Sequence, residues 1–235
     1  MSKIFNFSNH WENCFFDHYK FKSLFDYISD KETQKYYSLT WLKHNKLDKK
    51  DKSTIDEITD SFSNEITETS RKICNQMIVS LYSHFEAITE DIAKVIFINY
   101  PDNILKYIKV YSDYEASLQF SLQEFIRIED KEEYLEILSE RLSGTITSGI
   151  PEKSIDRLNC IIPLKLDREK TIILNDIHDI RNRIIHENKV FDIDFTKLDT
   201  YYTAVSYYLE ESARTLHNNN IKIIDNGNLL NLIKK

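Results

Sequence analysis

Asn175-Asp-Ile-His-Asp-Ile-Arg-Asn-Arg-Ile-Ile-His-Glu-Asn188 sets an Arg-Asn pair, Arg181 and Asn182, ahead of His186 with three residues between. On an α-helix each residue turns by about 100°, so with Arg181 at zero Ile173, Ile177, Ile180 and Ile184 fall at roughly 260–320° and make one apolar stripe. Leu174, Ile185, His178, Asn182, Asn175 and His186 occupy an arc of roughly 20–140°, and Asp179, Arg183 and Glu187 take the rest at about 160–240°. An ordinary surface helix needs only a buried stripe and a solvated one. A further strip in which Arg, Asn and two His follow one another asks for another explanation, and a functional groove is one candidate. The competing reading is that Arg and His lie on a solvated face and their spacing is accidental.

Working outward, the rest of the chain reads as helix. It has 235 residues, 41% apolar and 29% charged, enough for a full core in one domain with helical additions or in two small domains. Three Gly and three Pro leave little from which to build phosphate-cradling loops or a turn-rich β fold. Aromatics are dense over 9–28 (Trp11, Phe15, Phe16, Tyr19, Phe21, Phe25, Tyr27), and 31–47 carries Tyr36, Tyr37, Trp41 and Leu42. Both stretches predict helices packed on a larger body. The polar run Asp48-Lys-Lys-Asp-Lys-Ser53 then marks a boundary.

From Thr54 to about Asn99 apolar residues keep three- and four-residue steps, with a bend or break expected near Ser61–Ser70 where Ser and Thr accumulate. Tyr100-Pro101 ends that run. One or two shorter helices are expected over 102–128, then one over Lys131–Leu142 closed by Gly144 as a left-handed cap. Pro151 starts another that stops before Pro163. The motif helix spans 168–188, and Asp194 or Thr196 caps a last one to about 217. Ile221–Ile224 reads as a short strand or a loose end. The predicted fold is all-α: an antiparallel helical bundle over 53–217, with an N-terminal helical appendage at 1–52 and a tail at 218–235.

Arg181, Asn182 and His186, as Arg-Asn-x3-His on a late helix of an all-helical chain, resemble the signature of the HEPN superfamily. Ser80-Leu-Tyr-Ser-His-Phe-Glu86, on the long earlier helix, is similar to that superfamily's first core helix. The resemblance covers roughly residues 70–217. It implies a ribonuclease with Arg181 and His186 as the catalytic pair, leaving a 2′,3′-cyclic phosphate and a 5′-hydroxyl. It also implies a homodimer in which two motif helices face one another. Some HEPN toxins carry a Tyr two residues beyond the His, modified by a partner nucleotidyltransferase; Asn188 stands there, which puts silencing by that route in doubt.

The residues themselves suit such chemistry. A neutral imidazole near pH 7 takes a proton from the RNA 2′-hydroxyl, and a guanidinium holds the phosphate and the charge that builds on it. Asn182, His178 and Glu86 are the supporting or RNA-binding candidates, Glu86 because a polar residue on the earlier helix can face the motif. No cofactor or metal is called for. His178 and His186 are separated by about 12 Å of helical rise, too far to share an ion, and neither His-Glu-x-x-His nor a nucleotide-binding glycine motif occurs.

The net charge of −7 excludes a uniformly basic nucleic-acid surface and leaves room for a local patch. Cys14, Cys74 and Cys160 are odd in number and widely separated, which predicts a reducing, cytoplasmic setting. No signal-peptide core or run of ~20 apolar residues occurs, so no membrane association is expected. Three functions compete: a metal-independent endoribonuclease of a defence, toxin-antitoxin or stress system, with RNA as substrate and an antitoxin or defence-system partner; a non-catalytic module binding RNA or nucleotide; and a helical scaffold.

Overall fold

A computed structural model describes residues 3–46, 52–128 and 130–232 of the chain. The polar boundary expected at 48–53 falls largely outside them. Helix α1 (Phe7–Ser29) begins where the Asn6 side chain accepts from the Asn9 N–H. It gives way to α2 (Lys31–His44) at Asp30, whose carboxylate accepts from the Thr33 N–H. These two helices flank α3 (Lys52–Asn99), a single helix of 48 residues.

The break expected in α3 near Ser61–Ser70 does not occur. Hydroxyls there bond back onto their own helix instead of competing with it: Thr67 donates to the Ser63 carbonyl at 2.9 Å and Ser70 to the Thr67 carbonyl at 2.7 Å. Helix α2 supports the same half from the side. Thr59 donates to Ser38 at 3.0 Å, and the Trp41 and Phe62 rings meet edge to face.

After Pro101 come α4 (Asp102–Val110), a 3-10 turn (Ser112–Leu118), α5 (Leu122–Arg127) and α6 (Lys131–Ile146). Helix α6 starts on Asp130, which accepts from the N–H groups of Glu132 and Glu133. Gly144 is not its cap. The helix runs through Gly144 to Ile146, and the left-handed position belongs to Gly149 at φ 97°, in the turn before α7 (Pro151–Ile161). Helix α8 (Arg168–Glu187) is capped by Asp167 and α9 (Phe195–Asn218) by Asp194.

The second half of α3 is the axis of the core. Its Ile78, Leu81, Phe85, Ile88, Ile92 and Ile96 are buried against α6, α8 and α9. Residues Phe5, Phe7, Cys14 and Phe15 join the same core from the N-terminal side. The tail is tied down rather than loose: Ile223–Ile224 (β2) pairs in parallel with Phe5–Asn6 (β1), before a short α10 (Leu229–Leu232). Among the described residues no helix is long and apolar enough to cross a membrane. Cys14, Cys74 and Cys160 are all free thiols, and burial pushes Cys14 up to about 12 and Cys74 to about 11.

Candidate active site

The Arg-Asn-x3-His motif lies on α8, and packing fixes how that helix is turned. Leu174, Ile177 and Ile180 are buried, whereas Ile173 and Ile184 are half-buried. The apolar stripe is therefore rotated toward Leu174, which the angular reading had placed with the polar arc. The cause is α7, which packs beside α8 and covers that edge. Asn175 is part of the same contact. Its Oδ1 accepts from the Glu152 N–H at 3.1 Å and so caps α7, whose own N-cap residue Ile150 supplies no side-chain bond.

Arg181, at zero, then falls within the stripe between Ile177 and Leu174, and His178 and Asn182 lie beyond its Leu174 edge. Arg181 Nη1 donates to Asn182 Oδ1 at 2.8 Å, and the Asn182 amide then meets His178 Nε2 at 2.9 Å. Because the amide oxygen is taken by the guanidinium, its NH₂ is the donor to His178, which selects the imidazole tautomer carrying its proton on Nδ1. Under this chain lies Tyr82 of α3. The Arg181 guanidinium stands 5.5 Å from the ring centroid and the His178 ring 5.3 Å from it, while the Tyr82 hydroxyl donates to the Gly149 carbonyl at 3.4 Å.

Glu86 follows Tyr82 by one turn and completes the cluster. Burial raises its carboxyl above the usual range and Glu90 adds to the effect, opposed by Arg181 and His178. Arg181 Nε is buried and has no hydrogen-bond partner among the described residues. The guanidinium thus retains an unused donor.

His186 stands apart. It is exposed on the last turn of α8 beside the exposed Ile185, and among the described residues it makes no hydrogen bond or ion pair. The helix does not unwind after Ile185. It stays regular to Glu187 and closes on Asn188, left-handed at φ 52°, whose N–H bonds the Arg183 carbonyl. Arg181 and His186 therefore remain about 140° apart around the axis and about 7.5 Å apart along it. The structure joins Arg181, Asn182, His178 and Glu86 in one cluster and leaves His186 to solvent.

Two contributors escaped the sequence reading. Tyr82 sits four residues before Glu86, hence on the same helical face, and that spacing was the available signal. Asn75 clamps the segment after α8: its side chain bonds both the N–H and the carbonyl of Phe191 at 2.9 Å, and it is buried. Phe191 in turn lies under the cations of Arg183 and Lys189. Among the described residues no group of three or more His, Cys, Asp and Glu is arranged to hold a metal ion.

A family model, RiboL-PSP-HEPN, matches residues 67–218, from about a third of the way along α3 to the end of α9. No curated protein and no solved structure matches the chain.

Proposed function

The chain belongs to the RiboL-PSP-HEPN family, and on that premise we propose that it is a metal-independent endoribonuclease built on a homodimer. The observation that carries the reading is the division of labour on α8: a guanidinium anchored by Asn182 and Tyr82 with one donor unused, and an imidazole left exposed one turn later. Arg181 holds the scissile phosphate. The neutral His186 imidazole takes the proton of the adjacent 2′-hydroxyl, the 2′-oxygen attacks phosphorus, and the bond to the 5′-oxygen breaks. The imidazolium returns its proton to the 5′-oxygen, directly or through water, so that the 5′-oxygen leaves as a hydroxyl and the other end is a 2′,3′-cyclic phosphate. Asn182 fixes the guanidinium, and His178 and Glu86 support the groove rather than enter the chemistry.

A two-fold axis beside the motif would set Arg181 of one subunit near His186 of the other, which one straight helix cannot do alone. Exposed Ile185 and Val190 at that end of α8 supply apolar surface for such an interface. The setting we infer is the cytoplasm, in a defence, toxin-antitoxin or stress system with a restraining partner. Incubating the full chain with total RNA in excess EDTA is the test. Cleavage that leaves cyclic-phosphate ends and vanishes in His186→Ala supports the reading; cleavage only with added Mg²⁺ overturns it.

The net charge of −7 and the Glu86 carboxyl beside Arg181 favour a second reading, a module that binds RNA without cutting it. In that case no cleavage is seen, but binding weakens with salt and is reduced in Arg181→Ala.

A further inference from the structure

A cavity of about 580 Å³ opens between α1, the first turn of α8 and α9, lined by aromatic and charged side chains that the motif does not use. Trp11 and Phe15 form one wall, with ring centroids 4.3 Å apart. His18 stacks flat on Tyr202 at 4.0 Å with 20° between the planes. Although only 4% exposed, His18 is held by polar contacts: its Nε2 meets Asp199 Oδ1 at 2.6 Å, and Asp199 Oδ2 accepts from Lys22 Nζ at 2.5 Å.

These bonds fix the aromatic surface before any ligand arrives, which lowers the ordering cost of binding. They also occupy both oxygens of Asp199. Lys170, the other cation of the cavity, has no ion-pair partner among the described residues. On the α9 side lie Thr203, Ser206 and Glu210; Glu210 is 8% exposed and accepts from the Ser206 hydroxyl at 2.8 Å.

We propose that this cavity binds a mononucleotide, the base against the Trp11, Phe15 and Tyr202 rings, the Glu210 carboxylate and the α9 hydroxyls as polar partners, and the phosphate on Lys170 and Lys22. The volume lies within the ~300–1,000 Å³ of small-molecule sites, well above what one aromatic ring needs. The rings are tilted against one another, by 38° between Trp11 and Phe15, and an aromatic lining of this kind accepts a base of any sequence through its π-face. A phosphate suits Lys170, because Asp199 is offset by Lys22 and Glu210 by Arg214 at 3.8 Å, which leaves Lys170 as the uncompensated charge of the lining. The Glu210 carboxylate already accepts from Ser206 and stands 3.8 Å from Arg214 Nη2, and its remaining lone pairs can accept from the amino or ring N–H groups of a base. The α1 half of this site lies before residue 67, outside the matched family region.

Calorimetric titration of the full chain with AMP, UMP, adenosine and inorganic phosphate tests the assignment. Saturable binding of AMP or UMP, at least tenfold tighter than adenosine or phosphate, is expected. A Trp41→Phe protein, which keeps Trp11 as its one tryptophan, should show the same transition as a change in fluorescence. Lys170→Glu should weaken AMP at least tenfold and leave adenosine unchanged, with helical circular dichroism as the check on folding. Arg181→Ala/His186→Ala should bind AMP like the wild type. Loss of AMP binding in that double variant would place the nucleotide at the motif and overturn this site while leaving the ribonuclease reading intact. Adenosine binding as tightly as AMP, or no saturable binding up to about 5 mM, would also overturn it.

Discussion

Arg181 and His186 are five residues apart on one helix and live in different surroundings, and the difference predicts how their variants behave. His186 is exposed and makes no hydrogen bond among the described residues, so His186→Ala should lower RNA cleavage by about 10²–10⁴-fold, the usual worth of a general base, with thermal unfolding unchanged. Arg181→Ala should remove as much activity and also lower stability slightly, since it strands the Asn182 oxygen and uncovers Tyr82. An equal loss of stability in both variants would contradict this placement. Glu86 carries a pH signature. Its folded-state carboxyl titrates above the unfolded one, chiefly through burial, so the stability it contributes is fully present below the unfolded value near 4.5 and is lost as pH rises through the folded value. Glu86→Gln should therefore raise the melting temperature at pH 7 relative to wild type and leave it nearly unchanged at pH 4. A Gln variant that melts lower at pH 7 would show instead that the charged Glu86–Arg181 attraction dominates. Asn182 was legible as a supporting residue, but its bond to Arg181 was not, because adjacent residues on a helix do not face one another. Nor was Tyr82, because a platform under two side chains of another helix depends on how α3 and α8 cross.

At the scale of elements, helix starts were the readable part. Asp194 caps α9 and Pro151 opens α7, as local chemistry dictates. The helix ends read from Pro101 and Pro163 held as well, and what failed was the end read from Gly144. Gly144 carries no left-handed signal of its own, and with Leu142 and Ile146 both buried the helix gains more by continuing than by stopping. The two glycines should consequently answer the same substitution with opposite sign. Gly144→Ala meets nothing within 4 Å and should stabilise by about 0.5–1 kcal/mol, whereas Gly149→Ala at φ 97° should destabilise by about 1–2 kcal/mol. Urea unfolding of both variants checks the pair, and a destabilising Gly144→Ala would put the end of α6 in the wrong place. The clamp after α8 is a second test. Asn75→Ala deletes two bonds to Phe191 and leaves part-buried backbone groups unpaired, for a loss of about 1–3 kcal/mol by the same measurement.

For the whole molecule, the bundle was legible because long amphipathic helices announce their buried faces, whereas the closure of the chain was not. Phe5 pairs with Ile223 through two-residue strands, too short to carry a periodic signal and joined only once the bundle has brought the termini together. Quaternary structure lies further still from local pattern, and here the argument runs through geometry. A regular α8 keeps Arg181 and His186 about 140° apart around the axis and about 7.5 Å apart along it, and the homodimer proposed above answers that separation with a second copy of the motif. Light scattering after size exclusion should give about twice the 28.0 kDa chain mass. The sharper test mixes two inactive proteins, Arg181→Ala and His186→Ala, and allows subunits to exchange. If each site takes Arg181 from one chain and His186 from the other, a mixed dimer keeps one site in which both residues are intact. Random exchange should then restore about a quarter of wild-type cleavage, since half the dimers are mixed and each regains one of two sites. Sites confined to single chains would restore none, and a fully active monomer would remove the need for the interface altogether.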